Sequence, residues 1–232
     1  MIFKNRIIGV ITLIIGMMSV SLWAQAGVSL GTTRVIFPMD KEQVVLPVNT
    51  SLDEDAYLIQ SWIENSNGQK SEQFVITPPL FMMQGKKENN LLILDKKNTQ
   101  LPTDRESLFW VNVKSIPASD KKDADKNILQ FSITNRIKMF YRPDGLLKSL
   151  EEAPSKLVFT VSNDKLIIKN PSPVFVTIVQ LKLNNDDLDN IMVEPFGEAN
   201  IPIKSTSKVS NEISYETIND YGSMTPRITK KI

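Results

Sequence analysis

Side chains that could perform chemistry are few in this 232-residue sequence, which contains neither histidine nor cysteine. That composition excludes histidine-based catalytic triads, thiol nucleophiles, disulfides, and metal sites built from imidazole or thiolate. Carboxylates remain, clustered at Asp53–Asp55, Glu151–Glu152 and Asp186–Asp189. Two carboxylates at a suitable separation could serve a glycosidase. Each cluster lies in a polar, turn-like stretch, which favours solvated loop charges, so we predict no catalytic residues and no enzyme.

Metal, cofactor and nucleic-acid sites are not predicted either. The run Asn184–Asp187 lacks the glycine and the distal glutamate of an EF-hand calcium loop. No glycine-rich phosphate-binding motif and no nucleophile elbow occurs in the sequence. The 27 basic and 26 acidic side chains give a net charge of +1 with no long block of one sign. We therefore expect no metal, cofactor, nucleic acid or small-molecule substrate.

Residues 1–26 have the layout of a cleavable signal peptide. Lys4 and Arg6 precede an apolar run over 7–20, and Ala24 and Ala26 occupy the −3 and −1 positions of a cleavage site. The apolar run is also close to the ~20 residues that an uncleaved membrane anchor needs. The small residues at the cleavage site favour export and removal. Without cysteine, the exported chain must rely on packing alone for its stability.

Beyond residue 26 the apolar residues recur with a period of two, which is typical of strands. Turn signals such as Asn67-Gly68 and Asp144-Gly145 separate short stretches rich in Val, Ile, Phe, Leu and Thr. The predicted strands are 28–37, 44–48, 56–64, 73–77, 91–94, 108–116, 128–141, 157–162, 165–169, 174–183, 190–193, 199–203 and 209–215.

The length and strand spacing indicate an all-β protein of two sandwiches, since an immunoglobulin-like sandwich takes about 100 residues. The polar stretch from Lys148 to Pro154 reads as a short connection between them. We predict a signal peptide over 1–26, a first immunoglobulin-like domain over 27–146 and a second over 147–232.

The predicted strand over 128–141 begins with an unusual pattern. Leu129, Phe131 and Ile133 alternate with polar residues, so an extended chain places three large apolar side chains on one face. An ordinary half-buried core strand has the same alternation. The alternative is an edge strand offered to another protein, where backbone pairing supplies the register and alternate side chains supply specificity.

Short motifs spaced along nearly the whole chain resemble the PapD-like periplasmic chaperones of chaperone–usher systems, which assemble pili. The motifs are Val28-Ser29-Leu30 with Thr33-Arg34-Val35, Ser61 to Asn65, Ile76-Thr77-Pro78-Pro79, Leu101 to Trp110, Ser115-Ile116-Pro117, Arg136 to Pro143, Lys169 to Pro173, and Ile218 to Gly222.

The resemblance implies two immunoglobulin-like domains in a boomerang arrangement with a cleft between them. It implies a chaperone that binds, stabilises and caps pilus subunits in the periplasm and delivers them to an outer-membrane usher. Each subunit is an incomplete sandwich, and the chaperone completes it by donor-strand complementation. Leu129, Phe131 and Ile133 match the donor-strand residues of the family.

Two further sets of residues match family positions. Arg34 and Lys138 match the anchor for the C-terminal carboxylate of the subunit, although the residues alone favour solvent-facing strand charges. Simple alternation also places Lys138 on the face opposite Ile133, so twist, a bulge or an approach from the cleft must reconcile them. Glu106, Arg142 and Asp220 match a structural ion network between the domains, where the alternative is independent surface charges.

Competing functions remain open on the sequence. A secreted two-domain adhesin or lectin would bind sugar through its loops and ignore the three apolar residues. A carboxylate-dependent glycosidase would lose turnover when one Asp or Glu is changed. A free chaperone could also form a dimer in which two copies cap each other's exposed strands.

Overall fold

A computed structural model of the protein describes residues 27–51, 56–97, 101–118, 129–203 and 212–232. The predicted signal peptide and the Asp53–Asp55 cluster lie outside the described residues. Within the described ranges, no helix has both the length and the apolar character needed to cross a membrane.

In the described part of the chain, the first sandwich contains nine strands arranged in two sheets. Their bounds are β1 (Val28–Leu30), β2 (Arg34–Pro38), β3 (Gln43–Thr50), β4 (Ala56–Asn65), β5 (Phe74–Thr77), β6 (Leu80–Gln84), β7 (Glu88–Asp95), β8 (Ser107–Pro117) and β9 (Ile133–Arg142). One sheet has the order β1-β3-β7-β5 and the other β2-β9-β8-β4-β6. Strand β2 pairs with β9 in parallel orientation.

The core of the first sandwich forms because apolar residues at alternate positions point between the two sheets. Phe37, Leu46, Ile59, Leu91 and Val111 are fully buried there. On β9, Met139 and Tyr141 belong to the same core, so the odd-numbered residues of this strand face inward and the even-numbered residues face away.

The second sandwich has its own core, and its described residues include one helix. The elements are α1 (Leu147–Lys156), β10 (Val158–Ser162), β11 (Lys165–Lys169), β12 (Val176–Leu183), β13 (Asp186–Asp187), β14 (Ile191–Val193), β15 (Glu198–Pro202), β16 (Glu212–Thr217) and β17 (Ile228–Lys231). One sheet has the order β10-β11-β15; the other has the order β13-β12-β16-β17, and β14 also pairs with β12. Leu166, Ile178 and Tyr215 are fully buried between them.

The interpretation of Lys148 to Pro154 as a plain connection is wrong, because this stretch forms most of α1. Leu150 and Ala153 pack on the second core, three residues apart as one helix face requires. The end of the helix is fixed by Tyr215 Oη, which donates to Pro154 O at 2.6 Å, and by Lys230 Nζ, which donates to Leu157 O at 2.8 Å. Strands β6, β13 and β17 were not predicted, and the single strand predicted over 28–37 is two strands, β1 and β2, in different sheets.

Candidate functional site

Strand β9 has one fully paired edge and one edge that is paired only in part. Along one side it pairs with β8 from Ile133 to Tyr141. Along the other side it pairs with β2 only from Lys138 to Arg142, because β2 begins at Arg34. Among the described residues, no strand pairs with β9 on this side before Lys138. We call residues 129–137 on this side the open edge.

The large apolar residues at the start of the open edge face solvent. Leu129, Phe131 and Ile133 are 78%, 69% and 63% exposed, and we call them the apolar triplet. Among the described residues, the strand ladder begins at Ile133, whereas the sequence pattern predicts a strand from residue 128. Residues 129–132 lie beyond the ladder, although the Gln130 side chain donates a hydrogen bond to the Pro117 carbonyl. The triplet therefore lies outside the core of its own sandwich.

Arg34 and Lys138 lie side by side where the open edge ends. They are Cα partners in the parallel β2–β9 pairing, and both side chains are half-buried. Burial lowers the pKa of each cation, and the charge of Arg34 lowers the pKa of Lys138 further. Arg34 Nη1 donates to Ile218 O at 3.3 Å. Within the described chain neither cation forms a salt bridge, so this cation pair could hold an added anion.

Lys138 and Ile133, the triplet residue that belongs to β9, lie on opposite faces of the strand, as alternation requires. The pairing of β9 with β8 runs without a register shift from Ile133 to Tyr141, so no bulge turns Lys138 toward the triplet. A partner strand on the open edge can contact both Lys138 and the apolar triplet, because the edge borders both faces of the sheet.

Glu106, Arg142 and Asp220 are in direct contact in the structure. Arg142 Nε donates to Glu106 Oε1 at 2.6 Å, and its two terminal nitrogens donate to the Asp220 carboxylate at 2.7 and 2.8 Å. Arg142 and Glu106 are only 8% and 4% exposed. The contacts link the first sandwich to the loop between β16 and β17 of the second. Burial lowers the pKa of Arg142, but the hydrogen bonds and charges of Asp220 and Glu106 outweigh burial and raise this pKa above its ordinary value.

Sequence reasoning missed the other contacts that hold the two sandwiches together. Phe175 N donates to Glu106 Oε2 at 2.8 Å, and the Phe140 and Phe175 rings lie 5.4 Å apart. The Arg105 guanidinium lies 4.9 Å from the centre of the Phe196 ring. Alternation along β9 could have indicated Phe140, since it shares a face with Lys138 and Arg142.

The described residues hold no group of three or more acidic side chains placed to bind a metal ion. Glu151 and Glu152 lie on α1, where Glu152 pairs with Lys156 at 2.6 Å. Asp187 pairs with Lys182 at 2.9 Å in the β12–β13 hairpin. The arrangement at β9 is suited to binding a polypeptide, since it combines a strand edge that no described strand pairs before Lys138, exposed apolar side chains and two adjacent cations.

Comparison with known families identifies the fold. Residues 27–147 match the model described as pili and flagellar-assembly chaperone, PapD N-terminal domain. Residues 152–229 match the pili assembly chaperone PapD, C-terminal domain. The chain belongs to the PapD-like pilus-assembly chaperones. Membership confirms the predicted family, the two-sandwich fold and the prediction of a chaperone rather than an enzyme.

Close relatives of this chain are named chaperone proteins. Chaperone protein FocC of Escherichia coli is 53% identical over 203 residues, covering 88% of this chain and 89% of FocC. Chaperone protein FimC of Escherichia coli strain K12 is 48% identical over 206 residues, covering 89% and 85%.

Solved structures of similar proteins agree with the fold. The periplasmic chaperone SfaE has a TM-score of 0.77 at 51% identity, covering 88% of this chain and 98% of SfaE. The Salmonella enterica SafB chaperone, solved in complex with the SafA pilin, has a TM-score of 0.79 at 25% identity, covering 89% and 96%.

Proposed function

We propose that this chaperone is exported to the periplasm, binds pilus subunits by lending them the open edge of β9, and delivers them to an outer-membrane usher. The observation that carries the proposal is the exposed apolar triplet at the start of a strand edge that ends at two cations, neither of which forms a salt bridge within the described residues. The relative SafB, solved with a pilin, supports a pilus subunit as the partner.

The apolar triplet supports donation of this strand into an incomplete sandwich. Burial of Leu, Phe and Ile side chains contributes about 1.5–3 kcal/mol each, or roughly 5–9 kcal/mol before ordering costs. Soluble proteins usually protect strand edges with charge or proline, because an open apolar edge promotes aggregation. The same exposure suits an edge whose role is to pair, either with a subunit or, in the free protein, with a second copy.

The direction of the bound strand follows from where β2 begins. A guest strand on the open edge lies in line with β2, which runs parallel to β9. If the guest runs parallel to β9 as well, its C-terminus arrives at Arg34 and Lys138. An antiparallel guest would place its C-terminus near Leu129, about 30 Å away at ~3.3 Å per residue. A C-terminal carboxylate anchored by the cation pair therefore requires a parallel guest strand.

The anchor would also fix the register of the guest strand. Ile133 precedes Lys138 by roughly 17 Å of strand, which corresponds to about five guest residues. The side chains of the triplet would then enter the guest core at fixed distances from its C-terminus. A shift by one residue would turn the guest's side chains to the opposite face.

Co-expression with pilus subunits of the source bacterium tests the anchor. We expect Arg34→Ala and Lys138→Ala to abolish co-purification of subunits while the unfolding temperature stays near that of the parent. Lys114→Ala, on the same face of the same sheet, is the matched control and should retain subunits. Extension of a subunit by two glycines beyond its C-terminus should weaken binding to the parent protein. Retention of subunits at parent levels by both cation variants would contradict the anchor.

Localisation and delivery need separate measurements. Cell fractionation should recover the protein in the periplasm, and mass spectrometry should give Gly27 as its first residue. A purified chaperone–subunit complex should bind the usher in outer-membrane preparations. Recovery of the protein only with the inner membrane, with residues 1–26 intact, would favour the uncleaved anchor.

A further inference from the structure

An exposed tyrosine lies on the loop between β16 and β17 of the second sandwich, and the same loop contacts Arg34 of the cation pair. Tyr221, between β16 and β17, is 90% exposed, more than any other large apolar or aromatic side chain in the described chain. It makes no contribution to either core. A large aromatic ring left in solvent is a typical binding element, because aromatic side chains are enriched among the residues that dominate interfaces.

The loop holds the backbone of Tyr221 in a defined position. Asn219 Oδ1 accepts hydrogen bonds from Tyr221 N and Ser223 N, each at 3.0 Å. Gly222 N donates to Asn219 O at 3.0 Å, and Gly222 has a φ of 82°, which favours glycine. The ring is therefore presented from a fixed turn, which reduces the entropy that binding must overcome.

The neighbours of Tyr221 place this turn against the end of the open edge. Asp220 pairs with Arg142, and Ile218 O accepts a hydrogen bond from Arg34. Gly222 packs so closely on Thr33 that an added Cβ would lie 2.2 Å from Thr33 Oγ1. Thr33 precedes Arg34 and thus lies at the point where a strand in line with β2 would end.

We propose that Tyr221 is a second contact for the C-terminal residues of the bound subunit. Its ring packs against the last side chains of the guest strand while Arg34 and Lys138 hold the carboxylate. The proposal rests on the proposed function, because it takes the guest strand to end at the cation pair. It also gives the Arg142–Asp220 pair a positioning role, since that pair fixes an aromatic contact from the second sandwich beside an anchor on the first.

Photo-crosslinking tests the position of Tyr221 directly. The crosslinker p-benzoylphenylalanine replaces Tyr221, and the chaperone is co-expressed with pilus subunits of the source bacterium and irradiated. Mass spectrometry should find the crosslink on the C-terminal peptide of the subunit. The same crosslinker in place of Leu147, which is 72% exposed in the second sandwich, should give none there. A retained subunit without a C-terminal crosslink at position 221 overturns this proposal alone, whereas failure of the parent protein to retain subunits overturns the proposed function as well.

Dissociation rates of the purified complex provide the second measurement. Tyr221→Ala should release the subunit about three- to tenfold faster, and Tyr221→Phe, which keeps the ring, should stay within about twofold of the parent. Leu147→Ala, the control for loss of an exposed apolar side chain, should also stay within about twofold. A rate for Tyr221→Ala within twofold of the parent overturns the contact.

Discussion

The two halves of the segment that contains β9 differ in burial although they follow one alternation. In the first half, residues 129–137, the odd-numbered triplet is mostly exposed and one edge is open. In the second half, residues 138–142, Met139 is fully buried and Tyr141 is 6% exposed, with both edges paired. The odd-numbered side chains of both halves are mostly apolar, with Asn135 as the polar exception in the first half. Ile137, at the end of the first half, already packs against the core, so burial on this face increases along the strand. Strand β2 begins beside Lys138, which leaves the edge of the first half available to a partner.

Replacement of Arg142 should cause the largest loss of stability, because Arg142 forms a buried ion pair at the end of the second half. Arg142→Ala leaves Glu106 buried without its cation, and breaking a buried ion pair costs about 3–5 kcal/mol. We expect the free energy of unfolding, measured by denaturant titration, to fall by that amount. A fall below about 0.5 kcal/mol would place the pair among ordinary surface charges.

The double variant Glu106→Gln with Arg142→Ala is the control for uncompensated charge. Removing both charges eliminates the buried, unpaired carboxylate, so the combined loss should be smaller than the sum of the two single losses. Additive losses would indicate that the two side chains stabilise the protein independently.

Matched truncations in the two halves test the contrast in burial. Met139→Ala should cost about 2–5 kcal/mol of unfolding free energy, since it removes a fully buried side chain. Ile133→Ala, on the same face of the same strand, should stay within about 0.5 kcal/mol of the parent. Both are measured by the same denaturant titration. A comparable loss in both variants would mean that Ile133 packs within its own molecule.

Much of this strand could be predicted from the sequence, because alternation depends only on the residues. Alternation placed Lys138 on the face opposite Ile133, and the structure confirms this. The start of the ladder at Ile133 could not be predicted, because it depends on β8, whose Ser115 pairs with Ile133 and which ends at Pro117. Helix α1 was missed because Pro154 and a polar composition concealed the packing of Leu150 and Ala153.

Some residues of the candidate site could be predicted from local motifs, whereas others are placed there only by contacts between distant parts of the chain. Family motifs indicated Arg34, Lys138 and the three members of the ion network. Phe175 and Ile218 come from distant segments of the chain, and only the packing of one sandwich on the other places them against Glu106 and Arg34. The same packing brings Tyr221 to this region, since its neighbour Asp220 pairs with Arg142. Long-range docking of this kind has no signal in the periodicity of a single sequence.

Phe131→Ala, in the first half, should weaken subunit binding without lowering the stability of the free protein. The ring is 69% exposed in the free protein, so its loss should leave the unfolding free energy within about 0.5 kcal/mol of the parent. If the ring fills a subunit core, its removal should weaken subunit binding by about 10- to 100-fold, as expected for a buried apolar anchor. Competition between variant and parent for a limiting amount of subunit measures the ratio. Equal partition would exclude Phe131 from the contact.

The smallest expected loss of stability concerns the ion pair between Arg136, in the first half, and Glu64 on β4 of the same sheet. Arg136 Nη2 lies 3.2 Å from Glu64 Oε2, and its guanidinium lies 3.9 Å from the centre of the Trp110 ring. The hydrogen bond from Trp62, together with Arg136, lowers the pKa of Glu64 below its ordinary value of 4.5. A lowered carboxyl pKa stabilises the fold above the unfolded-state pKa, and this contribution disappears as the pH falls through the folded-state value.

Glu64→Gln should therefore lower the unfolding free energy at pH 7 by less than about 1 kcal/mol, because the pair is near the surface. The amide can still accept the hydrogen bond from Trp62, so the variant removes the charge and little else. The difference from the parent should shrink as the pH falls below 4.5 and vanish once the parent carboxyl is protonated. Denaturant titrations between pH 7 and strongly acidic pH measure this, and a constant difference would assign the loss to packing. A small, pH-dependent loss would mean that Glu64 stabilises the protein through its ionised form, as expected for a pair near the surface, whereas Met139 in the second half stabilises it through burial.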